Sequence, residues 1–440
     1  MKALLCLSIL LLLATPSFGA DQTAASCSAS DIQTAVDACI AGDGGTISVP
    51  ACDYSDTCSN GSCWSTGDRV TADTDSPEFR IIGSGQSTTK IAYNSLEQST
   101  QQMWRFRGEG LKELSNMTIR GDGYTGGAGR SAFHLACLVD ARVHHITVEN
   151  FAGPIGITCK CENLLVDNCS FGKITYGGTY GWYVYGDNTY PEDWTSYYGT
   201  NNYNVFFEDN TFYESHHPIS TFTSGAVVAR YNTYSFAVTD SNYSNVIDQH
   251  SASFGDCAGE VEGASCNSDY AVDRGGRAYE IYNNTMNWNG SGEMSYFARI
   301  RAGSVLFTEN TVTATDPASS VQQAIQLVCE DHNNGAQCTV GNGYPVDYSF
   351  SETCLGGTDG CCDKVQDSYI WDNTLTRVDD ELTASGSVCG AGSIAEDTDY
   401  FLRAPTVLDD GFTWTPYTYP HPLRSNPTLS GCTISGGTVQ

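Results

Sequence analysis

The chain has 440 residues, with 51 acidic against 21 basic side chains and a formal net charge of −30. Nucleic acid and anionic membrane surfaces would be repelled by such a chain. No stretch beyond the N-terminus approaches the roughly 20 apolar residues that a membrane-spanning helix needs.

Met1 and Lys2 precede an apolar run over residues 3–14, and Ser17 and Gly19 are small enough for a signal-peptidase site. This predicts a signal peptide over residues 1–19, leaving residues 20–440 as one exported domain, extracellular or periplasmic. Of 19 cysteines, Cys6 leaves with the signal and 18 remain, which suits a disulfide framework in an oxidising compartment. Cys159 with Cys161, Cys257 with Cys266, Cys329 with Cys338 and the adjacent Cys361 and Cys362 read as local staples, while Cys52, Cys58 and Cys63 crowd one early loop. No CxxC pair recurs at the spacing of a zinc site. The mature chain therefore carries no predicted metal ligands among its cysteines.

The 45 glycines, 25 tyrosines and low charged fraction of 16% predict many short strands joined by tight turns rather than helices. Residues 27–50 form an N-terminal cap: a short amphipathic helix with Ile32, Val36 and Ile40 on one side, then the Gly-rich turn GDGG and a strand. Further on, one pattern recurs, a short strand ending in a polar residue, then Asn, then usually Thr and an apolar residue. The copies are LLVDNCSF at 164–171, VFFEDNTF at 205–212, VVARYNTY at 227–234, YEIYNNTM at 279–286, VLFTENTV at 305–312 and SYIWDNTL at 368–375. Their asparagines are Asn168, Asn210, Asn232, Asn284, Asn310 and Asn373, and the shortest steps are 22 and 26 residues. That is about one coil of a solenoid. A single coil cannot bury its apolar side chains, so coils must stack around a shared core, and an Asn at the same turn of each coil can form a ladder. The tail from about residue 377 to 440 lacks the repeat and is expected to pack along or cap the last coils.

The capping helix, GDGGTISVP at 42–50 and RIIGSGQSTTKI at 80–91, together with the Asn repeats, resemble the right-handed parallel β-helix proteins of the pectate-lyase-like superfamily. The resemblance implies an all-β, single-stranded right-handed parallel β-helix with a short N-terminal capping helix. It also implies work on carbohydrate, although one fold carries many reactions.

If the repeats are aligned, residues three and five before Asn face inward, and residues two and four before it face outward. The outward stripe holds Glu208, Arg230, Glu280, Tyr282, Thr308 and Trp371, a mixture suited to a sugar chain and equally to an ordinary solvated face. Between residues 174 and 363 the basic residues are Arg230, Arg274, Arg277, Arg299 and Arg301. Four of the five fall in one segment, creating a local cationic site that guanidinium chemistry directs toward carboxylates or sulfates. His216, His217, His250 and His332 accompany them, and an imidazole near neutral pKa is a competent base.

Three functions compete. The resemblance implies first a polysaccharide lyase acting on a uronate-containing polymer by β-elimination, with Arg277 and Arg299 on the carboxylate, His250 or His217 as base and Tyr282 as acid. Arg230, Arg274, Arg301, Glu208, Glu280, His216 and Trp371 would bind the polymer. The chain departs from the pectate lyase pattern: VIDQH at 246–250 only approaches a WIDH segment, and an RxPxxR motif is absent. A glycoside hydrolase would instead need paired carboxylates, for which Glu208, Asp209, Glu214 and Glu280 are the candidates. A non-catalytic glycan-binding rod would scatter its arginines around the coil. Calcium is an expected cofactor from carboxylate-bearing loops such as residues 256–263, although no EF-hand or nonapeptide signature occurs. The expected partner is a polysaccharide, and the expected state a monomer.

Overall fold

The computed structural model describes residues 19–425, apart from 55–58, 66, 74–75, 94–101, 122–130, 152–154, 175–180, 187–197, 216, 223–224, 237–245, 250–275, 291–292, 302, 318, 329–364, 366 and 386–393. The signal-peptide expectation and the pairings involving Cys58, Cys257, Cys266, Cys329, Cys338, Cys361 and Cys362 lie outside the described residues. No helix among the described residues is long and apolar enough to cross a membrane.

A 13-residue helix, Ala29–Ala41, begins the fold, with the Ser28 side chain accepting the Asp31 N–H as its N-cap. Its buried face carries Ile32, Val36 and Cys39 against the strand Gly45–Val49, so it closes the open end of the first coil. Every strand pairing that follows is parallel, and the strands stack as three faces of a coil. The first face runs from Gly45–Val49 and Phe79–Gly83 through Leu164–Asp167, Val205–Glu208, Ala226–Arg230, Ala278–Tyr282 and Ser304–Thr308 to Ser368–Trp371. The second face follows each of these after a sharp bend, as in Thr211–Ser215, Thr233–Phe236, Thr285–Trp288, Thr311–Ala314 and Thr374–Thr376. The third comprises Gln102–Arg107, Ser131–Ala136, Gly156–Cys159, Trp182–Tyr185, Ile219–Phe222, Ile247–Gln249, Glu293–Ile300, Ser320–Val328 and Val378–Ser385. This is a right-handed parallel β-helix, the hand that parallel crossovers adopt almost without exception.

The bend between the first two faces explains the repeat. At each one a residue turns left-handed, Asp209, Tyr231, Asn283, Glu309 and Asp372 all having φ between 52° and 56°, and the next residue is the repeated Asn, pointing inward. Asn232 Oδ1 accepts the main-chain N–H of Asn210 at 2.9 Å and its Nδ2 at 3.1 Å, while Asn232 Nδ2 donates to Phe207 O at 2.9 Å. The same pattern links Asn232 to Asn284, Asn284 to Asn310 and Asn310 to Asn373. The ladder thus satisfies main-chain donors that the bend removes from the sheet, where each orphan would cost about 1–3 kcal/mol. One correction follows: Asn168 is not a rung. It takes the left-handed place (φ 52°), and Cys169 fills the inward position, its N–H donating to Asn210 Oδ1. Earlier coils place Met117 and Ile146 there, both fully buried.

The inward residues three and five before Asn, such as Val205, Phe207, Tyr279, Ile281, Val305 and Phe307, all belong to the continuous core. Cys27 and Cys52 form a disulfide that ties the segment before the cap helix to the loop after its strand. Cys159 and Cys161 do not staple one another. Cys159 is disulfide-bonded, whereas Cys161 is a free thiol that burial pushes to about 12. Cys39 and Cys169 are likewise free and buried. They fill core volume as small apolar residues do.

Candidate functional site

The outward stripe of the first face is not open to solvent. Glu208, Arg230, Glu280, Tyr282 and Thr308 are each fully buried, and Trp371 is half-buried, because residues 405–425 run back along the coil axis over this face. At the C-terminal end Phe412 packs on Tyr198 and Tyr369, and Trp414 packs on Trp371 and Tyr282. Midway, Arg230 donates to the main-chain carbonyls of Tyr417 and Thr418. At the far end Tyr419 stacks on Tyr231 with centroids 3.9 Å apart, His421 lies against Phe206, and Arg424 pairs with Asp167, Glu208 and Asp209. The tail is therefore a strap along the coils rather than a plug on the last one.

Beneath the strap the charged groups are engaged with one another. Arg230 binds Glu208 Oε2 through Nε at 2.9 Å and Nη2 at 2.6 Å, and donates from Nη1 to Tyr282 Oη at 2.7 Å. The Glu208 Oε1 atom accepts from His421 N and forms an ion pair with Arg424. His421 stays neutral, since burial and the nearby Arg230 charge bring it down to about 3; its Nε2 faces Asn163 Oδ1 and its Nδ1 accepts the Leu423 N–H. Tyr282, expected to act as an acid, is held well above its ordinary value by burial. These placements correct the reading of the stripe as a sugar-binding surface: alternation set the side chains outward, but the strap occupies the face.

Glu280 shows the cost of that closure. Burial lifts its carboxyl from 4.5 to about 7, against the pull of the Gly199 N–H, the Tyr203 hydroxyl, the Trp414 indole N–H and the Arg230 charge. A carboxyl with a higher pKa in the folded than in the unfolded chain favours folding while protonated. Its contribution is complete below pH 4.5 and is lost as pH rises through about 7. The unfolding free energy of the wild type is expected to fall across that window relative to Glu280→Gln, which lacks this slope. Urea titrations of the two proteins at a series of pH values check this, and parallel profiles would contradict it.

The arginines divide by face. Arg230 lies under the strap, whereas Arg299 and Arg301 lie on or at the end of the third face, and Arg277 lies at the corner where the third face leads into the first. Arg277 and Arg301 occupy neighbouring coils at that corner: Arg301 N donates to Gln249 O and Ser304 N to Arg277 O. Arg274, His216 and His250 lie outside the described residues, as do His332 and the loop 256–263. His217 is buried, with φ 41°, at the entry to the strand Ile219–Phe222.

Strand register aligns a row of outward side chains across the third face: Arg105, His134, Ile157, Tyr183, Ser220, Asp248, Arg299 and Gln326. Asp248 is fully buried and pairs with Arg301 Nη2 at 2.7 Å, and the Arg299 guanidinium lies 5.6 Å from the centroid of Tyr296. Beside them Tyr183, Tyr185 and Phe222 form an aromatic patch with centroids 5.2 to 6.2 Å apart. His134 is neutral, brought down to about 4 by burial and by Arg105. Since strands stack about 4.8 Å apart, Tyr183 to Arg299 spans roughly 14 Å along the face, with half-buried Tyr183 and Arg299 at its ends and fully buried Ser220 and Asp248 between them. Asp248, Ser220, Tyr183 and His134 escaped the sequence reading. The segment VIDQH held the one available signal, since alternation between Ile247 and Gln249 turns Asp248 outward.

Among the described residues no group of three or more His, Cys, Asp or Glu side chains gathers as a metal site.

A chain of parallel three-strand coils with an Asn-laddered bend and a helical cap is a parallel β-helix. No family model matches the sequence, and no curated protein matches it. Among solved structures it is similar to ORF18 of Geobacillus virus E2 (14% identity, TM-score 0.36, covering 67% of this chain and about half, 54%, of that one). It is also similar to an alginate lyase from Paenibacillus sp. str. FPU-7 (12% identity, TM-score 0.42, covering 83% and 99%). A third is the mannuronan C-5 epimerase AlgE6 A-module of Azotobacter vinelandii (13% identity, TM-score 0.41, covering 86% and 96%).

Proposed function

We propose that the protein is a secreted polysaccharide lyase that cleaves a uronate-containing chain by β-elimination on its third face. The observation that carries this reading is the placement of Arg299 and Arg301 around Asp248, next to the Tyr183, Tyr185 and Phe222 patch. In a strongly acidic protein, two guanidinium groups on one face give a uronate carboxylate a partner, and the rings give sugar faces a platform. Asp248 fixes Arg301, so that the cation is in place before the substrate arrives.

In the elimination a base removes the proton α to the carboxylate, the electron pair forms the new carbon–carbon double bond, and the glycosidic C–O bond breaks with its pair going to oxygen. An acid then protonates that oxygen. Arg299 and Arg301 neutralise the carboxylate and the charge that develops on it, His217 or His250 takes the proton, and Tyr183, which is half-buried, replaces the fully buried Tyr282 as the donor. Of the four carboxylates considered for hydrolysis, Glu208 and Glu280 are buried beneath the strap, whereas Asp209 and Glu214 are half-buried.

The test is incubation of the full chain with alginate, pectate, ulvan and glycosaminoglycans, with and without calcium, following the ultraviolet absorbance of unsaturated uronates. A rise on one substrate supports elimination and names the polymer. New reducing ends without absorbance would overturn it in favour of hydrolysis, and neither signal across the panel would leave a glycan-binding rod.

A further inference from the structure

A cavity of about 440 Å³ opens at the corner between the third and first faces, lined among the described residues by Val139, Asp140, Glu162, Asn163, Asn201, Asn202, Asn204 and Arg277. It lies off the Tyr183 to Arg299 row, and its walls are built by the fold. Asp140 and Asn163 are left-handed corner residues of successive coils, joined by a bond from Asn163 Nδ2 to Asp140 Oδ1 at 2.6 Å. Asn204 is fixed at both ends of its carboxamide, donating to Cys161 O and accepting from Ala226 N. The strap holds the wall from behind through His421 and Asn163. Register places Gly225 between Tyr203 and Arg277, where a Cβ would run into the Val184 carbonyl, and Arg277 N donates to Gly225 O.

We infer that this cavity binds a single acidic sugar residue, with Arg277 as the partner of its carboxylate and the asparagine amides as partners of its hydroxyls. This rests on the acidic-polysaccharide reading of the preceding subsection but needs no turnover. The volume falls within the roughly 300–1,000 Å³ of small-ligand pockets, enough for one or two sugar rings. Carboxamides offer donor and acceptor together, which is what a hydroxyl requires. Arg277 is 3% exposed, so its charge acts with little screening by water, and Arg277 is the sole basic residue among the described lining. Asp140 and Glu162 share the cavity, so they accept from hydroxyls and repel a second carboxylate. That arrangement selects one acidic ring with its neighbour turned outward, instead of a continuous polyanion.

Isothermal calorimetry on the full chain tests this with galacturonate, glucuronate, mannuronate and guluronate, each also as a disaccharide, against the corresponding neutral hexoses. At least one uronate is expected to bind ten times or more tighter than its neutral counterpart, and Arg277→Gln is expected to erase that preference while weak neutral binding persists. Asn202→Ala, at an exposed wall position, is expected to weaken acidic and neutral sugars alike, and it serves if Arg277→Gln does not fold. Equal binding of acidic and neutral sugars, no binding by the wild type, or an acidic preference that survives Arg277→Gln would each overturn the inference. If uronates bind through Arg277 yet no polymer is eliminated, the lyase reading fails and the pocket stands; elimination without an Arg277-dependent preference does the reverse.

Discussion

Replacing Arg230 by alanine is expected to lower the unfolding free energy by about 3–5 kcal/mol, the cost of breaking a buried ion pair from one side. The guanidinium is fully buried and holds both Glu208 bonds, the Tyr282 hydroxyl and two strap carbonyls. Its removal leaves the charge of the fully buried Glu208 to His421 N and Arg424, and takes from the strap carbonyls the donor that Arg230 supplies. Replacing both members by apolar residues, Arg230→Met with Glu208→Leu, is expected to recover a large part of the loss, since a well-packed apolar pair often matches a buried ion pair. Urea unfolding of the three proteins measures this, with limited proteolysis reporting strap release. A loss under about 1 kcal/mol for Arg230→Ala, the level of an exposed pair, would show that the strap does not depend on this residue.

On activity the largest expected effect falls on Arg299. If it faces the carboxylate on which charge develops, Arg299→Ala is expected to lower kcat about 10²- to 10³-fold, the range for removing one preorganised electrostatic partner, with a smaller change in KM. Lysine restores charge without the planar fork, so Arg299→Lys is expected to recover only part of the rate. Initial rates of unsaturated-uronate formation give both constants. Unchanged turnover in Arg299→Ala would remove the third-face row from the chemistry, and a pure rise in KM would reassign Arg299 to binding.

The coil stack was legible in the sequence because its cause is local. The Asn ladder needs one residue type at one bend, and strand alternation places Val205, Phe207, Tyr279 and Ile281 inside whatever lies beyond the sheet. The slip at Asn168 shows the limit of a one-letter motif: a bend has a left-handed place and an inward place, asparagine suits both, and only register with Glu208 and Thr211 separates them. The strap was not legible, because its contacts are long-range. Arg230 meets Tyr417 across 187 residues and Glu208 meets His421 across 213, and nothing in a non-repeating tail says which face it will cover. Alternation told which side chains leave the core, not whether they reach water, so Glu208, Arg230, Glu280 and Tyr282 were read as a surface. Clustering of arginines in the chain brought Arg277, Arg299 and Arg301 near one another, whereas Arg230, equally marked by scarcity, belongs to the packing of the strap.

The division of labour between a closed first face and a working third face is tested most directly by hydrogen exchange of the full chain with and without a uronate oligosaccharide that it binds. Added protection is expected at residues 219–222, 247–249 and 293–300, with exchange unchanged at 226–230, 278–282 and 405–424. Loss of protection in the strap on binding, with new protection on the first-face strands beneath it, would contradict the account and make the covered stripe the functional surface.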